Sequence, residues 1–330
     1  MRITGPRLSS VLAECLAVLP EPASAEGNQP VTSDALSAIE SGIASLADKS
    51  FLIHPVIAYR LARNEYQAVQ EVLRYGSYGP TVGARLYTNA SAAGRIAAQL
   101  ATNLGDYSRA EANSLSAIRC AARSGSALIL ANAIDVLIHL HLVAGDPMDA
   151  LTVTTAARSA NTSPHLEVVL HIREARARAR MGDIMASVRS IGLATETLTT
   201  RANFLDRTFA NVNEAWLPAS IGHVWLDAHH PRKALDHYAE HNKFRSRQGL
   251  PQIPAITYQN LLTVARAQLA ANDLEASVDM ARESIMLFSW PPPNSLKILR
   301  ELFSGHATAG PVRDLLSEVS EKVQRGSPVH

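Results

Sequence analysis

Apolar residues recur at helical spacing along most of the chain. Between residues 34 and 49 they fall at Leu36, Ile39, Ile43 and Leu46, in steps of three, four and three residues. Such steps place apolar side chains on one face of an amphipathic helix. A similar pattern follows and is stopped by the turn-forming sequence GSYGP at residues 76–80. The pattern predicts helices at about 34–49 and 55–75.

A short phrase then recurs five times. The first residue of its Gly-Asp pair, or its equivalent, lies at positions 105, 145, 182, 229 and 272, at intervals of 40, 37, 47 and 43 residues. Self-similarity at this period is typical of a helical repeat array. The copies are LGDYSRA (104–110), AGDPMDA (144–150) and MGDIMAS (181–187), followed by the degenerate AHHPRKA (228–234) and ANDLEAS (271–277).

Each residue of the phrase has a physical role at a turn between two helices. Glycine ends the first helix, because it enters the left-handed conformation without a Cβ penalty. Aspartate then accepts backbone N–H bonds as the N-cap of the second helix. A small residue four positions after the aspartate lets the two antiparallel helices approach closely. The phrase therefore predicts a helix hairpin that occurs five times.

The Gly-Asp-x-x-x-Ala turn resembles that of the tetratricopeptide repeat. Four further stretches look like the C-terminal sensor region of actinobacterial Xre-type helix-turn-helix regulators, over about residues 31–323. They are YGPTVGARL (78–86), LHIREARARARMGD (170–183), residues 216–226 and VRDLLSEV (312–319). In that family a DNA-binding domain precedes a linker and the repeats. The present sequence begins at the linker, so we expect no direct nucleic-acid binding from it.

The predicted fold class is all-α, a tetratricopeptide-like right-handed superhelix of antiparallel helix pairs. The expected order is a linker or short N-terminal helix (1–32), an N-terminal helical hairpin (33–80), five helix pairs (81–290) and C-terminal capping helices (291–325). The pairs are expected at about 81–104 with 107–124, 126–144 with 147–160, 164–181 with 184–199, 206–228 with 231–248, and 252–271 with 274–289.

One repeat position is polar in all five pairs. Six residues before each turn glycine, or its equivalent, the chain carries Gln99, His139, Arg176, His223 and Arg266. The preceding position is mostly small, as at Ala175 and Gly222, and is predicted to pack against the partner helix. Resemblance to tetratricopeptide repeats implies that the polar position faces a concave groove. Neighbours at helical spacing add Arg95, Asn132, Asp135 and Arg180 to that surface.

The excess of arginine in this set predicts an anionic ligand. A guanidinium fork matches carboxylates and phosphates, so the groove is expected to bind a peptide, a chain terminus or a small anionic molecule. Arg176 and Arg180 are predicted to hold the anionic part, with Asn132, Asp135 and His139 fixing its orientation. The alternative interpretation is that these side chains are merely solvated.

Composition and charge argue against several kinds of partner and chemistry. The formal net charge is +1, so no global field gathers nucleic acid or anionic membrane. Two cysteines and the lack of a run of 18 apolar residues predict a cytoplasmic protein without a membrane partner. No phosphate loop or nucleophile motif is present, and His237 and His241 are interpreted as packing or surface residues. We therefore expect no catalytic residues, no metal and no cofactor.

Three hypotheses for function follow from the sequence. The favoured one is a non-enzymatic regulator that binds a peptide, protein or small anionic ligand in its groove and is linked to transcription. The second is a stand-alone scaffold that holds two proteins together. The third is an accessory enzyme of secondary metabolism. A homodimer is compatible with each.

Overall fold

A computed structural model describes residues 3–17, 29–50, 53–160, 164–200, 215–249, 254–287 and 295–325. These residues form fifteen α-helices, together with a 3-10 turn at Ser304–His306 and one parallel pairing of Gln29–Pro30 with Gly76–Ser77. The predicted all-α class is confirmed. The helices are α1 (Gly5–Leu16), α2 (Ser33–Lys49), α3 (Pro55–Tyr75), α4 (Pro80–Asn103), α5 (Tyr107–Arg123), α6 (Ala127–Ala144), α7 (Pro147–Ala160), α8 (Pro164–Arg180), α9 (Ile184–Thr200), α10 (Trp216–Asp227), α11 (Pro231–Gln248), α12 (Pro254–Ala270), α13 (Leu274–Met286), α14 (Ser295–Leu302) and α15 (Gly310–Arg325).

Three predicted segments lie partly outside the described residues. The expected helix at 206–228 is seen as α10 only from Trp216, and residues 201–214 are not described. The described residues also omit 18–28 of the expected linker or short N-terminal helix (1–32) and 291–294 of the expected C-terminal capping helices (291–325).

The helices pack as successive hairpins. The second helix of each hairpin follows the first after a tight turn and packs along it, in α4–α5, α6–α7, α8–α9, α10–α11 and α12–α13. The first helices also contact one another in order, α4 with α6, α6 with α8, α8 with α10 and α10 with α12. Side chains from five hairpins therefore meet on one continuous face, which we call the first-helix surface.

The turns between paired helices follow the predicted chemistry except at Gly145 and at His230, whose side chain makes no N-cap hydrogen bond. Asp106, Asp183 and Asp273 each accept the backbone N–H three residues on, at 3.1 Å. The residue before the aspartate or its equivalent is left-handed in four turns, with φ of +76°, +80°, +59° and +66° at Gly105, Gly182, His229 and Asn272. Gly145 departs from the prediction, because its φ is −122°. There glycine is needed for space, since a Cβ would lie 2.8 Å from His141 Nδ1.

The predicted small positions lie where paired helices touch. Ala175 is fully buried, and Ser187 Oγ of α9 donates to its carbonyl at 2.9 Å. Ser277 of α13 makes the equivalent bond to Ala265 at 2.7 Å. A Cβ on Gly222 would lie 2.7 Å from Cε2 of Tyr238 on α11. The predicted tight contacts at Ala175 and Gly222 are confirmed.

The N-terminal helix α1 is docked onto α5 and α7. Its residues Leu8 and Leu12 are buried within the largest hydrophobic cluster of the described residues. Two buried carboxylates receive the segment, because Ile3 N donates to Glu111 at 2.9 Å and Gly5 N to Asp149 Oδ1 at 2.7 Å. The sequence allowed either a linker or a short helix at the start of the chain, and the structure has a helix at Gly5–Leu16.

Helix α6 is the most apolar long helix of the described chain. Its 18 residues reach a mean hydropathy of 1.9, which is sufficient for a membrane-crossing helix by length and composition. In this fold α6 packs against α4, α5, α7 and α8, and Leu137 and Ile138 are fully buried. Its apolar character is therefore used in the core of the array.

Candidate functional site

The nine predicted groove residues lie on the first helices of the five hairpins. The helices contact one another in sequence, so residues far apart in the chain become neighbours on the first-helix surface. Arg95 and Gln99 are on α4, Asn132, Asp135 and His139 on α6, Arg176 and Arg180 on α8, His223 on α10, and Arg266 on α12.

Two ion pairs connect the first helices of the central hairpins. Arg173 of α8 forks onto Asp135 of α6, with Nε and Nη2 at 3.0 and 3.3 Å from the two carboxylate oxygens. Arg176, three residues further along α8, places Nε 2.8 Å from Asp227 Oδ2 of α10. All four side chains are at most 20% exposed. Water screens these pairs less than surface pairs, so breaking one leaves a costly unpaired charge.

A neutral contact continues this line to α12. The His223 ring lies with Nδ1 3.1 Å from Thr263 Oγ1 and Nε2 3.4 Å from Asn260 Oδ1. The edge of the ring meets Tyr238 of the partner helix α11, with centroids 5.7 Å apart. These contacts join α6, α8, α10 and α12 in one line, which we call the polar ladder. Its members are Asp135, Arg173, Arg176, Asp227, His223, Asn260 and Thr263.

Two of the predicted ligand-binding arginines already have protein partners. Arg176 pairs with Asp227. Arg180 also has a protein acceptor, since its Nη1 donates to the carbonyl oxygen of Leu142 at the end of α6. A ligand that used these two arginines would compete with existing bonds.

Three other predicted residues keep unused bonding capacity. Asn132 is 7% exposed, and its Nδ2 has no hydrogen-bond partner among the described residues. The same is true of the buried Nδ1 of His139. Arg95 is partly buried, and no described carboxylate lies within 4.0 Å of it. Burial lowers the pKa of Arg95, and the nearby charge of Asp135 opposes that shift.

The remaining predicted residues lie at the two ends of the surface. Gln99 donates from Nε2 to Asn103 Oδ1 at 3.2 Å within α4. Arg266 is exposed on α12. No hydrogen bond or ion pair between described residues joins either of them to the ladder, so they belong to the same row of helices without being part of the central contact.

The two histidines of the first-helix surface are neutral at physiological pH. Burial lowers the pKa of His139 to about 3, helped by the positive charges of Arg173 and Arg176 and opposed by Asp135. Burial likewise lowers the pKa of His223 well below its ordinary value, and Arg176 adds to this effect. A neutral imidazole offers one donor and one acceptor nitrogen, so each ring can bond without adding charge to the surface.

These pKa shifts predict a loss of stability in mild acid. The unfolded chain binds a proton at each histidine below about pH 6.5, whereas folded His139 stays neutral down to about 3. Stability therefore rises with pH between those values. From pH 6 to pH 5 we expect His139 alone to remove about 1 kcal/mol of unfolding free energy. Urea unfolding of the wild type and of His139→Gln at both pH values measures this loss. An equal change in unfolding free energy between the two pH values in both proteins would contradict the assignment of the loss to His139.

No described group of three or more metal-binding side chains meets at a possible metal centre. His241 is buried, with Nδ1 2.6 Å from the carbonyl oxygen of Ala215, and His237 pairs with Glu240 at 3.6 Å. His241 is therefore a packed, hydrogen-bonded residue, and His237 is partly exposed beside Glu240. A shallow depression beside α14, lined by Lys297, Arg300 and Glu301, is open to solvent and distant in sequence from the ladder.

Sequence reasoning left four ladder residues out of the candidate site. Asp227 lies four residues after His223, and Thr263 lies three before Arg266. Arg173 lies three residues before Arg176, and Asn260 three before Thr263. The helical-face rule that added Arg95 and Asn132 would have found each of them. Only the pairing between helices required the structure.

No protein-family model matches the chain. No curated protein matches it. One solved structure with some likeness is BtubC (BKLC) from P. vanneervenii, with 16% sequence identity and a TM-score of 0.41, over 76% of this chain and 91% of that one.

Proposed function

We propose that this chain is a non-enzymatic regulatory protein whose first-helix surface binds a peptide, protein or small anionic ligand. The proposal takes the stacked hairpins as a tetratricopeptide-like right-handed superhelix, in which the first-helix surface is the concave groove. The resemblance of residues 31–323 to the sensor region of Xre-type regulators links the binding event to transcription, in the cytoplasm. Concave faces of such arrays are the usual binding surfaces.

The observation that carries this proposal is the charge composition of the surface. Four predicted arginines and Arg173 face only two ladder carboxylates, Asp135 and Asp227. An excess of guanidinium groups, some of them partly shielded from water, favours an anionic partner. Because the polar ladder crosses from hairpin to hairpin, a ligand that bridges two hairpins can alter their spacing. That provides a route from binding to a change in the shape of the array.

Partner capture tests the proposal. Tagged full-length protein is used to recover partners from the source cells, and mass spectrometry identifies the recovered proteins and small molecules. The exposed Arg180 and Arg266 are replaced in one variant, Arg180→Ala with Arg266→Ala, which keeps the ladder intact. Recovery of the specific partner is expected to fall at least tenfold, equivalent to about 1.4 kcal/mol of binding free energy.

A matched variant supplies the control. Arg189→Ala with Arg232→Ala removes the same charge from exposed positions on the second helices α9 and α11. It is expected to recover the partner as the wild type does. Equal recovery by all three proteins would show that the first-helix surface is not the site. Recovery of a DNA-binding regulator supports the link to transcription.

A stand-alone scaffold is a second candidate, favoured by exposed apolar side chains at two neighbouring turns of the central hairpins. Met148, Met181 and Met185 are 52%, 41% and 70% exposed, at the α6–α7 and α8–α9 turns. The bond from Arg180 to the Leu142 carbonyl shows that these turns lie side by side. Apolar surface next to flexible methionines is typical of protein-binding sites. A partner lost on Met148→Ser with Met185→Ser, but kept on Arg180→Ala with Arg266→Ala, would favour the scaffold.

A further inference from the structure

Two side chains on one face of α6 have unused bonding capacity. Asn132, Asp135 and His139 are spaced by three and four residues on α6 and share one helical face. Helix α4 packs against α6 and carries Arg95. Burial lowers the pKa of Arg95, and the charge of Asp135 opposes that shift. Arg95, Asn132 and His139 thus lie on the two adjoining helices that carry the Asp135 end of the polar ladder.

The groups left without a protein partner can serve as hydrogen-bond donors. Asn132 Nδ2 is a donor, and the Arg95 guanidinium carries five N–H groups and no acceptor. Neutral His139 donates from Nδ1 in one of its two tautomers. A buried donor without an acceptor costs about 1–3 kcal/mol, so a ligand that accepts from Asn132 Nδ2 and His139 Nδ1 would remove that cost.

We infer that Arg95, Asn132 and His139 form a subsite for a single carboxylate group, and this inference rests on the proposed binding role of the first-helix surface. The three groups would donate to the two carboxylate oxygens. Asp135, which lies between Asn132 and His139 on the same helical face, stays engaged by Arg173 and is not displaced. The subsite therefore differs from the one expected at Arg176 and Arg180, where the arginines already bond to Asp227 and Leu142.

Local charge favours a carboxylate over a phosphate. Arg95 and Arg173 carry two positive charges against one negative charge on Asp135, so one positive charge is uncompensated. A carboxylate supplies one negative charge and neutralises the site. A phosphate dianion would leave a partly buried excess of negative charge beside Asp135, which is unfavourable.

Histidine spectra of the full-length protein test the subsite directly. The chain is labelled with ¹⁵N at its 12 histidines, and the His139 signal is assigned from the variant His139→Gln. Acetate, N-acetylglycine, N-acetylglycinamide and inorganic phosphate are titrated at constant ionic strength. The two carboxylates are expected to shift the His139 signal saturably, whereas the uncharged amide leaves it unchanged.

The dissociation constants of acetate and N-acetylglycine distinguish two kinds of ligand. A dissociation constant at least tenfold lower for N-acetylglycine than for acetate points to a peptide C-terminus, because the adjacent amide contributes. Equal constants point to a small organic acid. No saturable shift of His139 by either carboxylate would overturn the inference, and so would tighter binding of phosphate than of both carboxylates.

Variants assign the effect to the named side chains. Arg95→Met and Asn132→Asp are each expected to weaken acetate binding at least tenfold, the second by adding a repelling charge at nearly constant volume. Arg189→Met, which removes a cation from an exposed position on the second helix α9, is expected to leave binding unchanged. Circular dichroism checks that each variant is folded. Wild-type affinity in folded Arg95→Met and Asn132→Asp would overturn the inference.

The outcome for the subsite is separable from that of the proposed function. If the carboxylates fail to bind but Arg180→Ala with Arg266→Ala still loses its partner, the surface is a binding site without this carboxylate subsite. If the carboxylates bind but the partner is recovered equally by all variants, the subsite stands and the larger groove function fails.

Discussion

Gly222→Leu is expected to lower the unfolding free energy by about 1–3 kcal/mol through overpacking. Gly222 of α10 faces the ring of Tyr238 on α11, and even a Cβ would approach that ring to 2.7 Å. Tyr238 is only 3% exposed and also packs edge-on against His223, so it has little room to move. The helices of the fourth hairpin would have to separate. Urea unfolding followed by circular dichroism measures the loss.

A second glycine in a helix provides the matched control. Gly192 lies within α9 and is exposed, and a Cβ added to it would meet no atom of a neighbouring element within 4 Å. Gly192→Ala is expected to stabilise the chain by about 0.5–1 kcal/mol, because alanine loses less backbone entropy in a helix. Gly222→Ala is expected to destabilise it. If both alanine variants shift the urea midpoint in the same direction, the close approach at Gly222 is not what governs stability there.

The sequence predicted the local elements well because each has a local cause. The turns at Asp106, Asp183 and Asp273 follow from a left-handed residue and an aspartate N-cap, which act within four residues. The close contact at Gly222 follows from its distance to the turn at His229, since a rigid helix fixes which residues face the partner. One exception, Gly145, meets its own helix at His141, and the motif carries no sign of that crowding.

The candidate site was harder to predict, because its contacts join residues 37 to 51 positions apart. Sequence reasoning, from the repeat position and from helical spacing, predicted Asp135, Arg176 and His223 as residues of one surface. It could not show that Arg176 reaches Asp227 of the next hairpin, since that depends on the offset between α8 and α10. The unused hydrogen-bonding capacity of Arg95 and Asn132 likewise depends on which groups the neighbouring helices present. The sequence pattern along one helix does not show it.

The pairing of Arg176 with Asp227 changes what a substitution at Arg176 would mean. The two side chains are 13% and 20% exposed, so Arg176→Ala leaves the carboxylate of Asp227 largely desolvated and unpaired. We expect Arg176→Ala to lower the unfolding free energy. Asp227→Ala should lower it as well, because it leaves the Arg176 guanidinium unpaired. The double variant removes both charges. Its loss of unfolding free energy should therefore be smaller, by a coupling energy of about 1–3 kcal/mol, than the sum of the two single losses.

A double-mutant cycle in urea measures that coupling, and the same four proteins then separate stability from binding. If Arg176 holds the ligand's anionic group, Arg176→Ala with Asp227→Ala should bind the identified partner at least tenfold more weakly than Asp227→Ala alone. If the pair serves only to hold α8 and α10 together, both proteins should bind the partner equally.

A coupling near zero would mean that the two charges do not interact in solution. Arg176 would then be available to the ligand as the repeat pattern predicts, and its loss should weaken binding without a loss of stability.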